Sequence, residues 1–596
     1  MHFSLVAVLR KNIKSLLLLA VVTCIAYGFS LSNTFVWDDE QFIYNNVFVK
    51  NFAITEIFTQ NTVAGAGETS TYYRPLTTLS FAIDYALWGL NPTGFHITNT
   101  LLHLFTGFLL FLYLQMIRLS KKTSLFITLL FLVHPLQTEA VVYANSRGDS
   151  LYAFWTMISL TSFCLLLKNK IPFITIYDLK ITADKKTLVF LTVCSYLLAI
   201  LSKEIGIATI GLLGLTFLLL HIQTKNTFSI TQILKNTYGI ATLSAAIFTA
   251  LFYFFFRTKI ITIPTTQDIY FAGTTYGESI FVRLHTFTQA LWTYWKLLLI
   301  PYPLHMERSL EILEQPISVW LVGVVAVVLA LIFFSVREYK KQKTTYISFG
   351  SLWFIGMLVP VSGIIPVNGL VYEHWLYLPM VGFFITLYGL QQTLLNKKLQ
   401  QKISATLEYS IVFVLILFVI LTIRQNYIWG NPIRFYTYTL QFSSSARLHN
   451  NLAMAYADIQ DYQNAVLQYK KAIELADYYP QTHYNLANTY LALGETELAI
   501  KEFETAIEMN ENFLPAYPKL MQIFSQKKSY TNITPLIDKL VTVLPEDIEL
   551  QYYKAQNLID TGNITDGLAL LESLKDNPTV NPQLRLNITR TIQRYE

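Results

Sequence analysis

Charge is scarce in this chain. Asp, Glu, Lys and Arg make up 14% of the 596 residues, against about a quarter in soluble globular proteins, while 53% are hydrophobic and 15% aromatic. That balance excludes an ordinary soluble protein. Cysteine is scarcer still. Cys24, Cys164 and Cys194 all lie inside apolar runs, which removes any basis for a disulfide framework and leaves them as packing residues. The formal net charge is only +6, from 44 basic and 38 acidic side chains. The basic residues sit in short clusters between apolar runs, a pattern of membrane topology and not of nucleic-acid binding. Zinc-ligand spacings, a glycine-rich phosphate loop and a Ser-His-Asp pattern are missing too. No metal or other cofactor is expected.

What the chain does have is long hydrophobic runs. Eleven of roughly membrane-spanning length lie at 13–31, 96–117, 123–143, 149–167, 187–202, 204–222, 237–256, 317–336, 346–362, 375–391 and 408–425, and none follows. The first comes after Arg10, Lys11 and Lys14 with no small-x-small cleavage pattern before Trp37, so it reads as an uncleaved helix. A further apolar stretch, 283–303, carries Arg283, His285 and Lys296. Counted as a crossing, it would put the basic clusters 337–343 and 396–402 opposite those at 118–122 and 168–186. As a half-inserted helix it leaves all of them on the inner side, as the positive-inside rule asks. Residues 33–95, 144–149, 257–316 and 363–374 and the whole carboxyl-terminal region then share the outer or lumenal face.

The expected fold is all-α: a polytopic membrane helix bundle of about eleven spans over 1–428, then a soluble domain over 429–596. In that domain NLAMAYADIQDYQNAVLQYKKAIE (451–474) and NLANTYLALGETELAIKEFETAIE (485–508) superpose at a spacing of 34, the tetratricopeptide period. Leu452, Ala453, Tyr456, Ala465, Tyr469 and Ala472 match Leu486, Ala487, Tyr490, Ala499, Phe503 and Ala506. The clearest repeats are 446–479 and 480–513, and about four are expected. Such arrays bind extended peptide or another protein along a concave face; a stabilising cap is the plainer alternative. Three Asn-x-Thr sequons, at Asn532, Asn563 and Asn587, would matter only in a eukaryotic host.

Polar residues beside a membrane need a partner or a job, and several gather on the expected outer face. The first outer loop contains Trp37, Asp38, Asp39 and Glu40, then Arg74 next to Pro75, and Asp84. The third run ends in HPLQTEAVVYANSRGD, with His134, Glu139, Arg147 and Asp149, and the loop 363–374 ends in Glu373 and His374. A carboxylate there can take a proton from a hydroxyl nucleophile, helped by a neighbouring acid that raises its proton affinity. Arg and His can hold a phosphate. Plainer readings stand beside these. Asp38 and Asp39 serve equally as solvated loop acids, His134 as a capped helix end before a proline, Lys203 and Glu204 as a helix-end ion pair, and Trp37, Tyr72 and Tyr73 as an interfacial aromatic belt.

FVWDDEQFI, YYRPLTTLSFAIDYALWG with NPTGFHITNTLLH, FLVHPLQTEAVVYANSRGD, LSKEIG, EHWLYLP and IRQNYIW occur in this order. In this, and in its repeats, the chain resembles the transmembrane and tetratricopeptide-repeat O-mannosyltransferases and their bacterial relatives, polytopic glycosyltransferases of the C superfamily. The resemblance implies inverting transfer of a sugar, mannose as a family expectation, from a polyprenyl-phosphate donor, with an essential acidic pair in the first outer loop. That pair falls on Asp38 and Asp39, with Asp38 expected as the base and Asp39 orienting it or sharing the proton. Glu139 and Arg147 match the family's acidic and basic positions, and Arg147 is expected on the donor phosphate, with Arg74, His134, Glu373 and His374 as further donor- or acceptor-binding residues. Animal members usually show Glu-Arg where this chain has Glu373-His374, a change that would make a phosphate grip pH dependent. A protein acceptor bound by the repeats is expected; a lipid or glycan acceptor, or a non-catalytic membrane scaffold, are the alternatives. The short repeat tail favours a bacterial plasma membrane over the endoplasmic reticulum.

Overall fold

Proline and cap residues decide where the apolar runs begin and end as helices. The computed structural model describes residues 2–595 apart from 170, 177–178, 226–229, 262–273, 343, 368, 396, 528–529, 578–579 and 581; part of the expected outer stretch 257–316 therefore lies outside the described residues. Among the described residues eight helices are long and apolar enough to cross a membrane: Val6–Ser32, Pro92–Met116, Ala144–Leu167, Lys185–Ser202, Glu204–Thr224, Thr237–Lys259, Val319–Gln342 and Tyr409–Trp429. The protein is a multi-pass membrane protein.

The other three expected spans form shorter helices. Lys121–Val133 and Tyr346–Leu358 have 13 residues each and Pro379–Leu394 has 16, about 20–24 Å at 1.5 Å per residue against a hydrocarbon core of about 30 Å. The run expected as one span over 123–143 is broken because Pro135 forces the preceding residue out of helical conformation. His134 has φ −65° and ψ 128°, and a second short helix, Gln137–Val142, follows. The stretch 283–303 folds as the helix Ile280–Leu299. Its Arg283 is buried and donates to the carbonyls of Gly363, Tyr276 and Gly277, which ties this helix to the 363–374 loop.

Beyond the all-helical expectation there is one small sheet among the described residues. His2–Ser4 pairs in parallel with Ile171–Ile176, which pairs antiparallel with Leu179–Thr182. The run Ile171-Pro-Phe-Ile-Thr-Ile176 is rich in the β-branched residues that favour strands.

The chain divides into two units, Met1–Ser443 and Ser444–Glu596, so the boundary falls after Ser443 and not after 428. The difference is the helix Pro432–Thr439, capped by Asn431 Oδ1 accepting the Arg434 N–H, which packs within the first unit. Trp429 lies against Phe435.

The second unit is a run of helices, from Ala446–Asp458 and Tyr462–Leu475 through Pro480–Ala492 and Thr496–Met509 to Pro582–Tyr595. Ala453, Ala465, Ala487 and Ala499 are fully buried, because paired helices approach closely only where side chains are small. Tyr469 and Phe503 fill the equivalent buried gaps between pairs. The turns within the first two repeats both need a left-handed residue. Gly494 supplies it at φ 81°, whereas Gln460 occupies the matching place at φ 65°.

Candidate active site

The two acids of the loop after the first helix are treated differently by the fold. Asp39 is buried, and both its oxygens are engaged: Oδ1 accepts the Asn145 N–H at 2.7 Å and Oδ2 the Val36 N–H at 2.9 Å. Asp38 is only half-buried. Its backbone N–H donates to the Tyr143 hydroxyl at 3.0 Å, and its carbonyl accepts from Gln41 and Phe42, starting the π-helical turn Glu40–Tyr44. Trp37, just before it, has φ 57°, a strained conformation for a residue with a side chain. Its N–H donates to the Tyr436 hydroxyl at 3.1 Å. Burial pushes the Asp39 carboxyl up to about 8, against the pull of its two backbone N–H partners. Asp39 thus fixes the loop, and Asp38 is the more accessible of the pair.

A second group forms where the 363–374 loop meets the break after the third run. His374 Nδ1 lies 2.7 Å from Glu139 Oε1, and its backbone N–H donates to Oε2 at 3.1 Å. Glu373 accepts the His305 N–H at 2.8 Å and pairs with Arg308. Burial pushes Glu373 up to about 7, with Arg308 opposing, and pushes His374 down to about 3, with Lys203 adding to the effect. That direction favours the neutral imidazole near pH 7.

Two more ion pairs border the group. Arg74 Nε donates to Glu204 Oε2 at 2.9 Å, its guanidinium lying over the Tyr72 ring, and Lys203 Nζ lies 2.6 Å from Asp149 Oδ2. Lys203 and Glu204 hence pair across the fold and not with each other at a helix end. Arg74, Asp149, Arg308, Glu373 and His374 lie in segments expected on one face of the membrane, Glu139 lies near the end of the run 123–143, and Lys203 and Glu204 lie where the run 187–202 gives way to 204–222.

Two expected binding residues are taken up by the structure itself. Arg147 is fully buried and pairs with Asp84. Its Nε donates to Asn99 Oδ1 at 2.7 Å, Nη1 to the Ser80 carbonyl at 3.2 Å and Nη2 to the Phe95 carbonyl at 2.9 Å, and the guanidinium lies over the rings of Phe81 and Phe95. Three of its N–H groups are hydrogen-bonded inside the fold and its charge is met by Asp84, so the structure places it in the core and not where it was expected, on a donor phosphate. His134 is also fully buried. Its Nδ1 accepts the Leu136 N–H at 3.3 Å, Nε2 faces the Leu298 carbonyl at 3.2 Å, and Phe418 packs on the ring edge. It stands at the helix end before Pro135, with both ring nitrogens met inside the fold.

Sequence reasoning missed Arg308, Tyr436 and Tyr143. Arg308 stands just beyond Pro301 and Pro303 at a membrane edge, and that was its only signal. Among the described residues no group of three or more His, Cys, Asp or Glu is arranged to hold a metal ion.

A tetratricopeptide-repeat family model matches residues 444–519. Over 505 residues the chain is 25% identical to mouse Protein O-mannosyl-transferase TMTC3, covering 80% of this chain and 53% of that protein. Over 483 residues it is 26% identical to Protein O-mannosyl-transferase F38B6.6 of Caenorhabditis elegans, covering 79% and 64%. Its relatives are protein O-mannosyl-transferases. A 152-residue part reaches 36% identity with human TMTC1, over 24% of this chain and 17% of that protein. The chain spans between half and two thirds of the length of the first two of these O-mannosyl-transferases. Because 80% coverage exceeds the share held by Met1–Ser443, the likeness reaches into the repeats.

Proposed function

We propose that this chain is a membrane glycosyltransferase that moves a sugar, mannose by analogy with its relatives, from a polyprenyl-phosphate carrier to a Ser or Thr hydroxyl of a protein. The repeats engage the acceptor, and the site faces the outer or lumenal side. The observation that carries the reading is the division of labour in the acidic pair: Asp39 fixed by two backbone N–H groups, Asp38 beside it and half-exposed.

In an inverting step the acceptor oxygen attacks the anomeric carbon from the face opposite the phosphate. The new C–O bond forms as the bond from that carbon to the phosphate oxygen breaks, and the polyprenyl phosphate leaves with the electron pair. The hydroxyl proton passes to the Asp38 carboxylate. A positioned base of this kind contributes about 10²–10⁴ in rate.

The test uses membranes supplied with radiolabelled polyprenyl-phosphate mannose, at matched expression of wild type, Asp38→Asn and Asp39→Asn. Label in protein, lost by two orders of magnitude or more in Asp38→Asn, is the expected result. Undiminished label in that variant removes Asp38 from the mechanism, and label in the lipid or polysaccharide fraction replaces the protein acceptor with a glycan or lipid.

A further inference from the structure

With Arg147 committed to Asp84, Asn99 and two carbonyls, the phosphate of a lipid-linked donor needs another cation. The requirement is chemical. The donor is a phosphodiester with one negative charge, and the leaving group is a monoester that approaches two, so the site must stabilise charge that grows during the step. Three ion-paired cations border the Glu139–His374 group: Arg74, Lys203 and Arg308.

Arg308 differs from the other two in how its donors are arranged. Both Nη2 hydrogens are engaged, one by the Pro303 carbonyl at 2.8 Å and one by Glu373. The Nε–H is buried and has no partner among the described residues. An unpaired buried donor on a charged group is expensive to leave unmade, and an anionic oxygen that accepts from it removes that cost. The side chain is 12% exposed, so its environment is closed but reachable. Its anchor is itself held, because Glu373 accepts the His305 N–H and the His305 ring is stacked on Phe442 at 4.7 Å. A guanidinium fixed along one edge with a spare N–H is the geometry that grips a phosphate oxygen with little reorganisation.

We propose that Arg308, anchored on Glu373 and assisted by Lys203, binds the phosphate of the polyprenyl-phosphate donor and stabilises the departing polyprenyl phosphate. This rests on the lipid-phosphate reading above.

The experiment measures binding of a short-chain polyprenyl monophosphate to the purified full-length protein in nanodiscs, with the uncharged polyprenol as control. Wild type is expected to bind the phosphate form and not the alcohol, and Arg308→Gln to bind it at least tenfold more weakly. Arg308→Lys keeps the charge but lacks the planar fork, and is expected to fall between them; it decides the matter if Arg308→Gln does not give a monodisperse protein. Unchanged affinity in Arg308→Gln, or in Arg308→Lys where that variant decides, overturns the Arg308 assignment while leaving the transferase reading intact. No binding by wild type overturns the lipid-phosphate reading itself. Equal displacement by inorganic phosphate or by phosphatidylglycerol shows a general anion or anionic-lipid site and overturns the assignment to the donor.

Discussion

Arg147→Met separates a structural arginine from a substrate-binding one. The substitution removes the partner of a buried carboxylate, Asp84, which among the described residues keeps the Thr98 hydroxyl at 2.9 Å. It also leaves Asn99 Oδ1 without the donor it faces, whereas the Ser80 and Phe95 carbonyls lie inside the helices Pro75–Trp88 and Pro92–Met116 and keep their intrahelical donors. Breaking a buried ion pair costs about 3–5 kcal/mol, and each buried acceptor stranded adds about 1 kcal/mol before relaxation. A net loss of about 5 kcal/mol follows, the lower edge of the whole stability of a typical protein. Removing the other charge as well, in Asp84→Leu with Arg147→Met, is expected to recover about 2–4 kcal/mol, because no uncompensated charge then remains buried. Thermal unfolding of the detergent-solubilised chain, followed by the monodisperse peak on size exclusion, ranks the three proteins: wild type most stable, the double variant next, Arg147→Met last. The reasoning is refuted if Arg147→Met unfolds with wild type and shows only weakened affinity for polyprenyl phosphate.

Four further outcomes are expected. Tyr436→Phe deletes the acceptor of the Trp37 N–H, worth about 0.5–1.5 kcal/mol; kcat should fall about 3–10-fold with the donor KM unchanged, in a steady-state transfer assay. Glu373 has a folded value of about 7, above its ordinary 4.5, so its contribution to stability is complete below about pH 4.5 and fades as pH rises through 7. Unfolding of Glu373→Gln should therefore vary less with pH over that window than that of wild type, whereas His374→Asn should leave the activity profile between about pH 6 and 8 unmoved, since His374 is neutral throughout. Gln460→Gly relieves a left-handed residue, about 1–2 kcal/mol, less the extra chain entropy of glycine, about 0.5–1 kcal/mol, and should raise the unfolding temperature; no rise would mean that contacts of the Gln460 side chain offset its backbone strain.

What could be read from the sequence was whatever is written locally. The 34-residue spacing placed the small and aromatic positions that are buried in the first two repeats, and run length placed eight membrane-length helices. The membrane-edge clusters put Glu139 and His374 on one face, and the fold brings them into contact. What could not be read was partner choice. Arg147 and Asp84, or Arg308 and Glu373, are separated by more than sixty residues, and no spacing rule says which acid a cation will meet. The break at His134–Pro135 was legible as the helix end that His134 offered, since the residue before proline resists helix, yet the length of the apolar run counted it as one span. The boundary after Ser443 was missed because Pro432–Thr439 follows the last apolar run and looks like the start of the soluble part.

That last helix bears on how the protein can be taken apart. Tyr436 and Phe442 brace residues of the proposed site, one through the Trp37 N–H and one through the His305 ring, although they lie downstream of the last membrane-length helix. A membrane half cut at the end of Trp429 would keep every helix of spanning length and lose both braces, and a chimera that exchanged repeat arrays there would carry a foreign brace into the site. The severable joint in this chain is the one after Ser443.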